Sequence, residues 1–347
     1  MTIFPAEFAP HEATWIAWPH HEPDWPGKLE PIPWVYAEIA RVLHRHERVE
    51  ILCHNEAVQA SARKHLEAHG VDRNVRLHIV PTDRVWLRDS APTGVLTGDG
   101  SVGLANWRFN AWAKYDNFER DAQVGSAVAR IAGLRRTEPL RPDTGERVVL
   151  EGGAIDTDGE GTLLVTEECL LSPIQERNPG LDRDGYERVF RDALGIRRTI
   201  WLGEGCVGDD THGHVDDIAR FVAPGVIALA YENDPADAEN HRRSVDNWRR
   251  LELAGGADGS LHVVKLPYPR PVVMNGDRLP ASYANFYIAN GVVLVPTFND
   301  RNDRVALNTL AELFPDHEIV GIHAVDLVWG LGTLHCLTQQ QPRATKG

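Results

Sequence analysis

The chain has 347 residues, of which 42% are hydrophobic and 25% charged, a composition typical of one large soluble globular domain or two ordinary ones. Its formal net charge of −14 argues against a nucleic-acid surface and suits a cationic small molecule. No apolar run is long enough to cross a bilayer, and the N-terminus lacks the features of a signal peptide, so we expect a cytoplasmic protein.

Helices and strands alternate in the first part of the chain. Hydrophobic periodicity predicts a helix at 33–46, a strand at 48–54, a helix at 56–69 and a strand at 75–80. The loop after this last strand leads to the sequence WLRD at 86–89.

The same alternation continues in the second half. We predict helices at 185–194, 235–253 and 303–314, and strands at 198–202, 226–231, 261–266 and 318–323. Asp234 and Pro235 are placed to cap and begin the long helix, and Asn290 and Gly291 mark a hairpin turn within a strand pair at 287–295. No linker and no clean repeat interrupts the pattern, so a single α/β domain over residues 1–347 fits better than two.

Four widely spaced cysteines form no C-x-x-C pair, so the sequence predicts neither a structural zinc site nor a disulfide framework. Cys53 and Cys169 lie in segments typical of a buried core. Cys336 instead follows a glycine-containing approach at 330–332 and precedes a polar run, a position from which a thiol can face a cleft.

The run GEGCVG at 203–208 matches the G-x-G-x-x-G pattern of dinucleotide-binding loops. That fingerprint requires a helix after the third glycine, whose N-terminus meets the pyrophosphate. Here the acidic, turn-forming sequence DDTHG follows at 209–213 and would repel a phosphate. We therefore predict no nucleotide cofactor.

The sequence HGHVDD at 212–217 offers His212, His214 and Asp216, a set that resembles the metal-binding loops of some hydrolases. His241 and His262, the candidate further ligands, fall in segments that read as an exposed helix and a strand, so the set lacks a convincing fourth ligand. The other interpretation is a histidine general acid and base with a carboxylate two residues away. We predict no metal.

Two more acids lie in settings that suit a cation. Asp89 follows the strand at 75–80 and stands near Trp86, where it either pairs with Arg88 at the surface or provides a seat for a cation. Glu151 precedes two glycines, which allow close backbone approach, or else it is a solvated acid in a turn.

Together these residues suit attack on a guanidinium group, whose central carbon resists nucleophiles because its charge is shared over three nitrogens. Attack requires carboxylates that hold the planar group, a thiolate aimed at the carbon and an acid that protonates departing ammonia. The candidate carboxylates are Asp89 and Asp216. Cys336 is the candidate thiolate and His214 the candidate acid, with Glu151 orienting His214.

Nine blocks occur in order along the chain: PAEFAPHE at 5–12, WLRD at 86–89, WRFNAW at 107–112, LEGG at 150–153, GEGT at 159–162, TEECL at 166–170, GHVD at 213–216, ASYANFYIANG at 281–291 and HCLTQQ at 335–340. With these blocks the chain resembles the family of agmatine deiminases and bacterial-type peptidylarginine deiminases, within the guanidino-group-modifying superfamily. The resemblance extends from near residue 4 to near residue 342.

The resemblance implies an α/β fold, specifically a five-bladed pseudo-symmetric α/β propeller of the pentein type with the active site on its axis. It implies that Cys336 attacks the guanidinium carbon and forms a covalent thiouronium, while Asp89 and Asp216 hold the guanidinium. His214, paired with Glu151, would protonate the leaving ammonia and then activate water. Neither a metal nor an organic cofactor would be needed.

We also predict three further substrate-contacting positions, Trp86, Trp107 and Asn110. Trp15, Trp18, Trp107 and Trp112 either pack in the core, the more common role of large aromatic residues, or line the pocket. The run GLGTLHC at 330–336 departs from the GGGNIHC type of run found in well-marked agmatine deiminases, which changes the pocket wall next to the thiol at Leu331 and Thr333.

Arg84 departs from the family as well, because an uncharged or acidic residue is common at this position. A cation there opposes the free ammonium of agmatine and favours a ligand that carries a carboxylate.

We therefore expect hydrolysis of agmatine to N-carbamoylputrescine and ammonia, on a polyamine route to putrescine. Deimination of peptidyl-arginine or free arginine by the same residues is the alternative, although the lack of a signal peptide counts against an exported protein-modifying enzyme. A metal-dependent hydrolase and a non-catalytic binder of cationic ligands are rivals from other classes. The expected partner is a small cationic guanidino substrate, without nucleic acid or membrane, and a homo-oligomer is compatible with the sequence.

Overall fold

The computed structural model describes residues 2–255 and 259–345. Residue 1, residues 256–258 and residues 346–347 of the predicted domain lie outside the described residues. The strands of the described part are, in chain order, β1 His11–Ala17, β2 Arg48–Cys53, β3 Val75–Ile79, β4 Thr93–Leu96, β5 Val102–Ala105, β6 Arg135–Thr137, β7 Asp156–Thr157, β8 Thr162–Thr166, β9 Arg198–Leu202, β10 Ala219–Ala223, β11 Val226–Ala230, β12 His262–Leu266, β13 Val273–Met274, β14 Asp277–Arg278, β15 Tyr287–Ala289, β16 Val292–Thr297, β17 Glu318–His323 and β18 Gln339–Pro342.

The helices of the same part are α1 Ile32–Leu43, α2 Glu56–Ala68, α3 Leu87–Ser90, α4 Val124–Ala132, α5 Glu167–Leu171, α6 Arg183–Leu194, α7 Ala238–Gly255, α8 Arg301–Leu313 and α9 Leu334–Leu337. Among the residues described, no helix combines the length and the apolar character that crossing a membrane requires.

Four three-stranded sheets share one topology. In β4-β5-β6, β7-β8-β9, β10-β11-β12 and β15-β16-β17, the first two strands pair antiparallel and the third runs parallel to the second. An antiparallel pair needs only a short turn, whereas the parallel return needs a crossover. That crossover contains a helix in each case: α4, α5 with α6, α7 and α8.

The fifth sheet joins the two ends of the chain. Its order is β18-β1-β2-β3, in which β18 pairs antiparallel with β1, and β2 runs parallel to β1 after the crossover through α1. The register places Trp15 opposite Gln339. This antiparallel pairing places α9, which directly precedes β18, near the C-terminal end of β1.

A short buried segment precedes the first strand of each of these five units. The segments are α9 before β18, α3 before β4, the 3-10 turn Gly152–Ala154 before β7, the 3-10 turn Val215–Asp217 before β10, and residues 281–286 before β15. These five segments, together with Glu151 and His214 directly before the two 3-10 turns, carry polar residues that are described in the next section.

Most predicted elements are confirmed, with shifts of a few residues at their ends. The strands predicted at 198–202 and 318–323 are β9 and β17, and the predicted turn at Asn290 and Gly291 separates β15 from β16. The start of the long helix is wrong, because α7 begins at Ala238. Asp234 does not cap it: the Asp234 carboxylate accepts a hydrogen bond from the Ala236 backbone N–H within a preceding turn.

Candidate active site

A cavity of about 200 Å³ is lined by both the candidate nucleophile and a candidate guanidinium-binding carboxylate. Cys336 on α9 and Asp89 on α3 both line it, and Trp86, Trp112 and Gly332 contribute to its walls. A larger depression of about 650 Å³ lies beside β4, β5 and α6, and its lining contains none of the candidate residues. The smaller cavity is therefore the one that offers a thiol and a carboxylate to a shared ligand.

Cys336 is buried in the first turn of the short helix α9 and is 7% exposed. Its Sγ lies 3.8 Å from Asp216 Oδ2 and 3.0 Å from Asn285 Nδ2. Burial raises the pKa of the Cys336 thiol well above its ordinary value, and the carboxylates of Asp216, Asp217 and Asp89 raise it further, because they oppose a second negative charge.

Asp89 is held by donors on both carboxylate oxygens. Its Oδ1 accepts a hydrogen bond from the Gly153 backbone N–H at 3.1 Å, and its Oδ2 accepts one from Trp112 Nε1 at 2.8 Å. Burial raises the pKa of Asp89 to about 6, although the neighbouring His214 opposes the rise. The carboxylate is therefore fixed in place while its charge remains sensitive to pH near neutrality.

Gly153 marks the point where three candidate residues meet. A Cβ atom built on this glycine would lie 2.5 Å from His214 Nδ1, 3.0 Å from Asp216 Oδ2 and 3.0 Å from Asp89 Oδ1. These contacts are too short for a real side chain, so the close approach requires glycine here. Gly153, the second glycine after Glu151, therefore allows these three side chains to approach one another closely. Glu151 itself is buried and is not a solvated acid in a turn.

His214 lies between two acids. Its Nδ1 is 3.9 Å from Asp89 Oδ1, and its Nε2 is 3.7 Å from Glu151 Oε2. Burial by itself lowers the pKa of His214, but the charge of Asp89 and the hydrogen-bonding groups of Cys169 and Glu151 outweigh it and raise that pKa well above its ordinary value. The imidazole is therefore set up to carry a proton.

Glu151 is itself held by Arg177, whose Nε donates to Glu151 Oε1 at 3.2 Å in a fully buried ion pair. Burial alone would raise the pKa of Glu151, but Arg177 and His214 lower it to about 2. Glu151 therefore carries a negative charge beside His214 at neutral pH.

Asp216 is connected to the N-terminal region through a buried chain of ionic contacts. His335 Nδ1 lies 2.6 Å from Asp216 Oδ2, and His335 Nε2 lies 2.8 Å from Glu7 Oε2. Glu7 also accepts hydrogen bonds from Arg88 and Arg220. Burial on its own raises the pKa of Asp216, but the hydrogen bond and charge of His335 outweigh it, so the pKa is lowered.

Several buried polar atoms at this centre have no hydrogen-bond partner among the described residues. They are Glu151 Oε2, Asp216 Oδ1 and both ring nitrogens of His214. Buried polar groups in proteins are normally paired, so the two unpaired carboxylate oxygens, Glu151 Oε2 and Asp216 Oδ1, indicate a place for a ligand that donates hydrogen bonds. A planar cation with several N–H groups meets that requirement.

Two sets of residues could hold a metal ion by composition: Glu151, Cys169 and His214, and Asp216, Asp217 and Cys336. In the second set, the Asn285 Nδ2 group donates to Asp217 Oδ1 at 2.9 Å and to Cys336 Sγ at 3.0 Å, so both ligand atoms already accept a hydrogen bond within the protein. In the first set, the Arg177 cation is paired with the Glu151 ligand.

His212 belongs to neither metal-binding set in the described part of the chain. Its Nε2 lies 3.0 Å from the hydroxyl of Ser172. The loop at 212–217 therefore separates His212 from His214 and Asp216, which weighs against the metal-hydrolase interpretation of this motif.

Trp107 and Asn110, which we predicted to contact substrate, are not among the described residues that line the cavity. Trp107 packs in a core cluster and donates through Nε1 to Thr93 Oγ1 at 2.9 Å. Asn110 caps the following turn, where its Oδ1 accepts from the Ala113 backbone N–H at 3.0 Å. Both residues support the segment that presents Trp112 to the cavity.

Trp112 belongs to the hydrophobic core and also lines the cavity. The backbone at Ala111, Trp112 and Ala113 is left-handed, with φ of 50°, 59° and 53°, which is costly for residues other than glycine. This turn lets the Trp112 indole reach Asp89. The sequence reasoning also missed Arg177, Asn285 and His335; for His335, its position directly before the nucleophile was the available signal.

The outer part of the cavity contains Arg84, which the sequence singled out. Its guanidinium forms an ion pair with the buried Asp24 and lies 4.3 Å from the ring centroid of Tyr115. Asp210, on the same wall, pairs with Lys114 and accepts a hydrogen bond from the Tyr115 hydroxyl at 2.7 Å. The charge of Arg84 is therefore compensated within the protein.

Known proteins resemble this chain over nearly its whole length. Residues 3–342 match the family described as Porphyromonas-type peptidyl-arginine deiminase. The agmatine deiminase of Ectopseudomonas mendocina is 38% identical, over 97% of this chain and 95% of the relative. Among solved structures, the agmatine deiminase of Enterococcus faecalis is 31% identical with a TM-score of 0.88, over 99% of this chain and 96% of that one.

A further solved structure is an agmatine deiminase of C. jejuni in which a cysteine is replaced by serine, with substrate bound. It is 27% identical, has a TM-score of 0.88, and matches 99% of this chain and 97% of that chain. The buried thiol centre and these full-length matches define the class of protein. The chain belongs to the Porphyromonas-type peptidyl-arginine deiminase family.

Proposed function

We propose that this protein is a hydrolase that removes ammonia from a guanidinium compound through a covalent bond to Cys336, and that agmatine is its substrate. The observation that carries the proposal is the shared cavity, which Cys336 and Asp89 line while Asp216 lies 3.8 Å from the sulfur. The relatives named above as agmatine deiminases support the choice of substrate.

In the proposed mechanism, Asp89 and Asp216 accept hydrogen bonds from the guanidinium nitrogens and hold its carbon against Cys336 Sγ. The thiolate attacks this carbon and forms a C–S bond. The C–N bond then breaks, and His214 donates its proton so that ammonia leaves. The covalent intermediate is a thiouronium.

The second half of the reaction returns the enzyme to its starting state. Water attacks the thiouronium carbon and gives one proton to His214. The C–S bond then breaks while the added hydroxyl gives its remaining proton to solvent, which releases the neutral ureido product and the thiolate. Glu151 keeps His214 oriented and favours its charged form in both halves. Arrival of the cationic guanidinium beside Asp216 and Cys336 favours the thiolate, because it offsets the negative charges that otherwise oppose ionisation.

The substrate's distal end distinguishes agmatine from the alternative, arginine or peptidyl-arginine. A free Arg84 cation would favour a carboxylate, and Arg84 does line the cavity. However, Arg84 is paired with Asp24, and Asp24 Oδ2 is buried without a hydrogen-bond partner among the described residues. We therefore retain agmatine, whose chain ends in an ammonium group, as the proposed substrate.

We also infer that the five sheets are blades of a pseudo-symmetric propeller around this centre, within a single catalytic domain of residues 1–347. Their shared topology and the five polar segments that precede their first strands support this inference. An experimental structure tests the propeller, and a single cooperative unfolding transition tests the domain. The cytoplasmic location is a proposal that cell fractionation tests.

The decisive experiment measures ammonia release in parallel from agmatine, arginine and a blocked arginine peptide. We expect turnover of agmatine above the other two, and loss of ammonia release in Cys336→Ser. Near-normal turnover in that variant would reject the thiol mechanism. Retained activity in Cys336→Ala together with sensitivity to a chelator would instead support a metal hydrolase, and binding without any covalent adduct would support a non-catalytic binder.

A further inference from the structure

The five units of the fold contribute unequally to the proposed mechanism. Segments before β18, β4, β7 and β10 supply the groups assigned above: Cys336, Asp89, Glu151, His214 and Asp216. The segment before β15, residues 281–286, supplies none of these assigned groups. It carries Asn285, which is fully buried and contacts the nucleophile directly.

The orientation of the Asn285 amide is determined by its surroundings. Its Oδ1 accepts hydrogen bonds from Thr333 Oγ1 at 2.7 Å, from the His335 backbone N–H at 2.9 Å and from the Cys336 backbone N–H at 3.3 Å. Backbone N–H groups can only donate, so an oxygen must face them. The amide nitrogen is therefore directed to the opposite side.

On that side, Asn285 Nδ2 has two acceptors for its two hydrogens. One is Asp217 Oδ1 at 2.9 Å and the other is Cys336 Sγ at 3.0 Å. With both amide hydrogens used, the sulfur is the acceptor of its contact with Asn285. An N–H group that points at sulfur favours the thiolate over the thiol, since hydrogen bonds to a charged acceptor are the stronger ones.

We propose that Asn285 is a positioning residue that fixes the direction of Cys336 Sγ and stabilises its thiolate through an N–H···S hydrogen bond. The inference rests on the proposed function, because it takes Cys336 as the nucleophile. The same amide also clamps the loop from Thr333 to Cys336 through its oxygen, so one side chain sets both the backbone and the sulfur of the nucleophile.

The surroundings of Cys336 oppose ionisation of its thiol, so a hydrogen-bond donor at the sulfur is needed to stabilise the thiolate. The groups that face the thiol are the carboxylates of Asp89, Asp216 and Asp217 and the buried phenol of Tyr36 on α1. After burial itself, the three carboxylates raise the pKa of Cys336. Asn285 is a neutral donor that opposes them at the sulfur and also occupies an oxygen of Asp217.

The test is the rate of Cys336 alkylation by iodoacetamide as a function of pH, with Cys336→Ser as the background. Removing the donor in Asn285→Ala should raise the midpoint of this profile by about one pH unit, because a hydrogen bond to a charged group has roughly that effect on a pKa. Thr333→Val is the matched control: it removes one donor to Oδ1, leaves the contact with sulfur, and should keep the wild-type midpoint.

An unchanged midpoint in folded Asn285→Ala would overturn the proposal, as would an equal shift in Thr333→Val. Asn285→Asp provides a second, nearly isosteric variant, which keeps an oxygen for the backbone donors and directs another oxygen at the sulfur. Its midpoint should rise more than that of the alanine variant, and a midpoint at or below wild type would contradict us.

Alkylation requires no guanidino compound, so the proposed function and the proposed role of Asn285 are tested by independent measurements. If the wild-type protein releases no ammonia from any guanidino compound, the proposed function fails, while a shifted alkylation midpoint still establishes the contact with Asn285. If ammonia release is normal and the midpoint does not move, only the role of Asn285 fails. In an active enzyme, we expect Asn285→Ala to lower kcat and change KM little.

Discussion

The indole nitrogen of Trp112 lies 2.8 Å from Asp89 Oδ2 and donates a hydrogen bond to it. The contact depends on the left-handed turn at residues 111–113, which Asn110 caps. Burial raises the pKa of Asp89 to about 6, and the Trp112 donor opposes that rise because it stabilises the charged carboxylate. A strained turn thus helps to keep a buried acid ionised near neutral pH.

This relationship predicts the acidic limb of the pH profile. As pH falls through about 6, Asp89 gains a proton and loses the charge that holds a guanidinium, so kcat/KM should fall. Trp112→Phe should move this limb to higher pH by about one unit, because the donor to the carboxylate is lost. Trp107→Phe, whose indole donates to Thr93 instead, is the control and should leave the limb in place.

Neutralising Asp89 should have a large effect on catalysis. Asp89→Asn should lose at least about 2 kcal/mol of substrate stabilisation, the usual scale for removing one partner of a buried charge pair. That corresponds to a fall in kcat/KM of roughly 30-fold. The exposed Asp99→Asn serves as the control, and equal rates and affinities for Asp89→Asn and wild type would exclude Asp89 as a guanidinium ligand.

Glu151 should contribute to stability as well as to catalysis. Glu151→Gln leaves the buried Arg177 guanidinium without its anionic partner, so the free energy of unfolding at pH 7 should fall by about 3 kcal/mol. Glu138→Gln removes one partner of an exposed pair with Arg136 and should change it by less than about 1 kcal/mol. Denaturant unfolding measures both.

The pH dependence of this effect has a defined sign. The pKa of Glu151 is lowered to about 2 in the folded protein, so its stabilising charge is fully present above the ordinary glutamate pKa and is lost as pH falls toward 2. The difference between wild type and Glu151→Gln should therefore shrink at acid pH. A constant difference from pH 7 down to the acid transition would count against the ion pair as its origin.

Arg84 should set the preference for the distal end of the substrate. Arg84→Ala leaves the buried Asp24 carboxylate without its guanidinium partner, so it should favour an ammonium tail over a neutral one. We expect the kcat/KM ratio of agmatine to butylguanidine to rise by about fivefold or more. Butylguanidine has the same reacting group and no distal charge, and an unchanged ratio would show that Arg84 and Asp24 do not sense the tail.

Local sequence patterns were enough to predict much of the secondary structure. The strands at 198–202 and 318–323 and the turn at Asn290 and Gly291 follow from hydrophobic periodicity and turn chemistry, which act over a few neighbouring residues. Very short strands such as β7 and β14 escaped prediction, because two residues cannot establish a period.

The residue types of the proposed centre could also be predicted from the sequence, because a thiol, an imidazole and acids next to glycines are typical catalytic and ligand-binding groups. The sequence could not decide which of these residues meet. Pairing of β18 with β1 places Cys336 near the C-terminal end of β1, and the missing Cβ of Gly153 lets His214, Asp216 and Asp89 approach one another. Trp107 and Trp112 belong to one motif, yet only Trp112 donates a hydrogen bond to Asp89, through the left-handed turn at residues 111–113. The distance between Trp112 and Asp89 depends on how the whole chain folds, so the motif alone could not predict it.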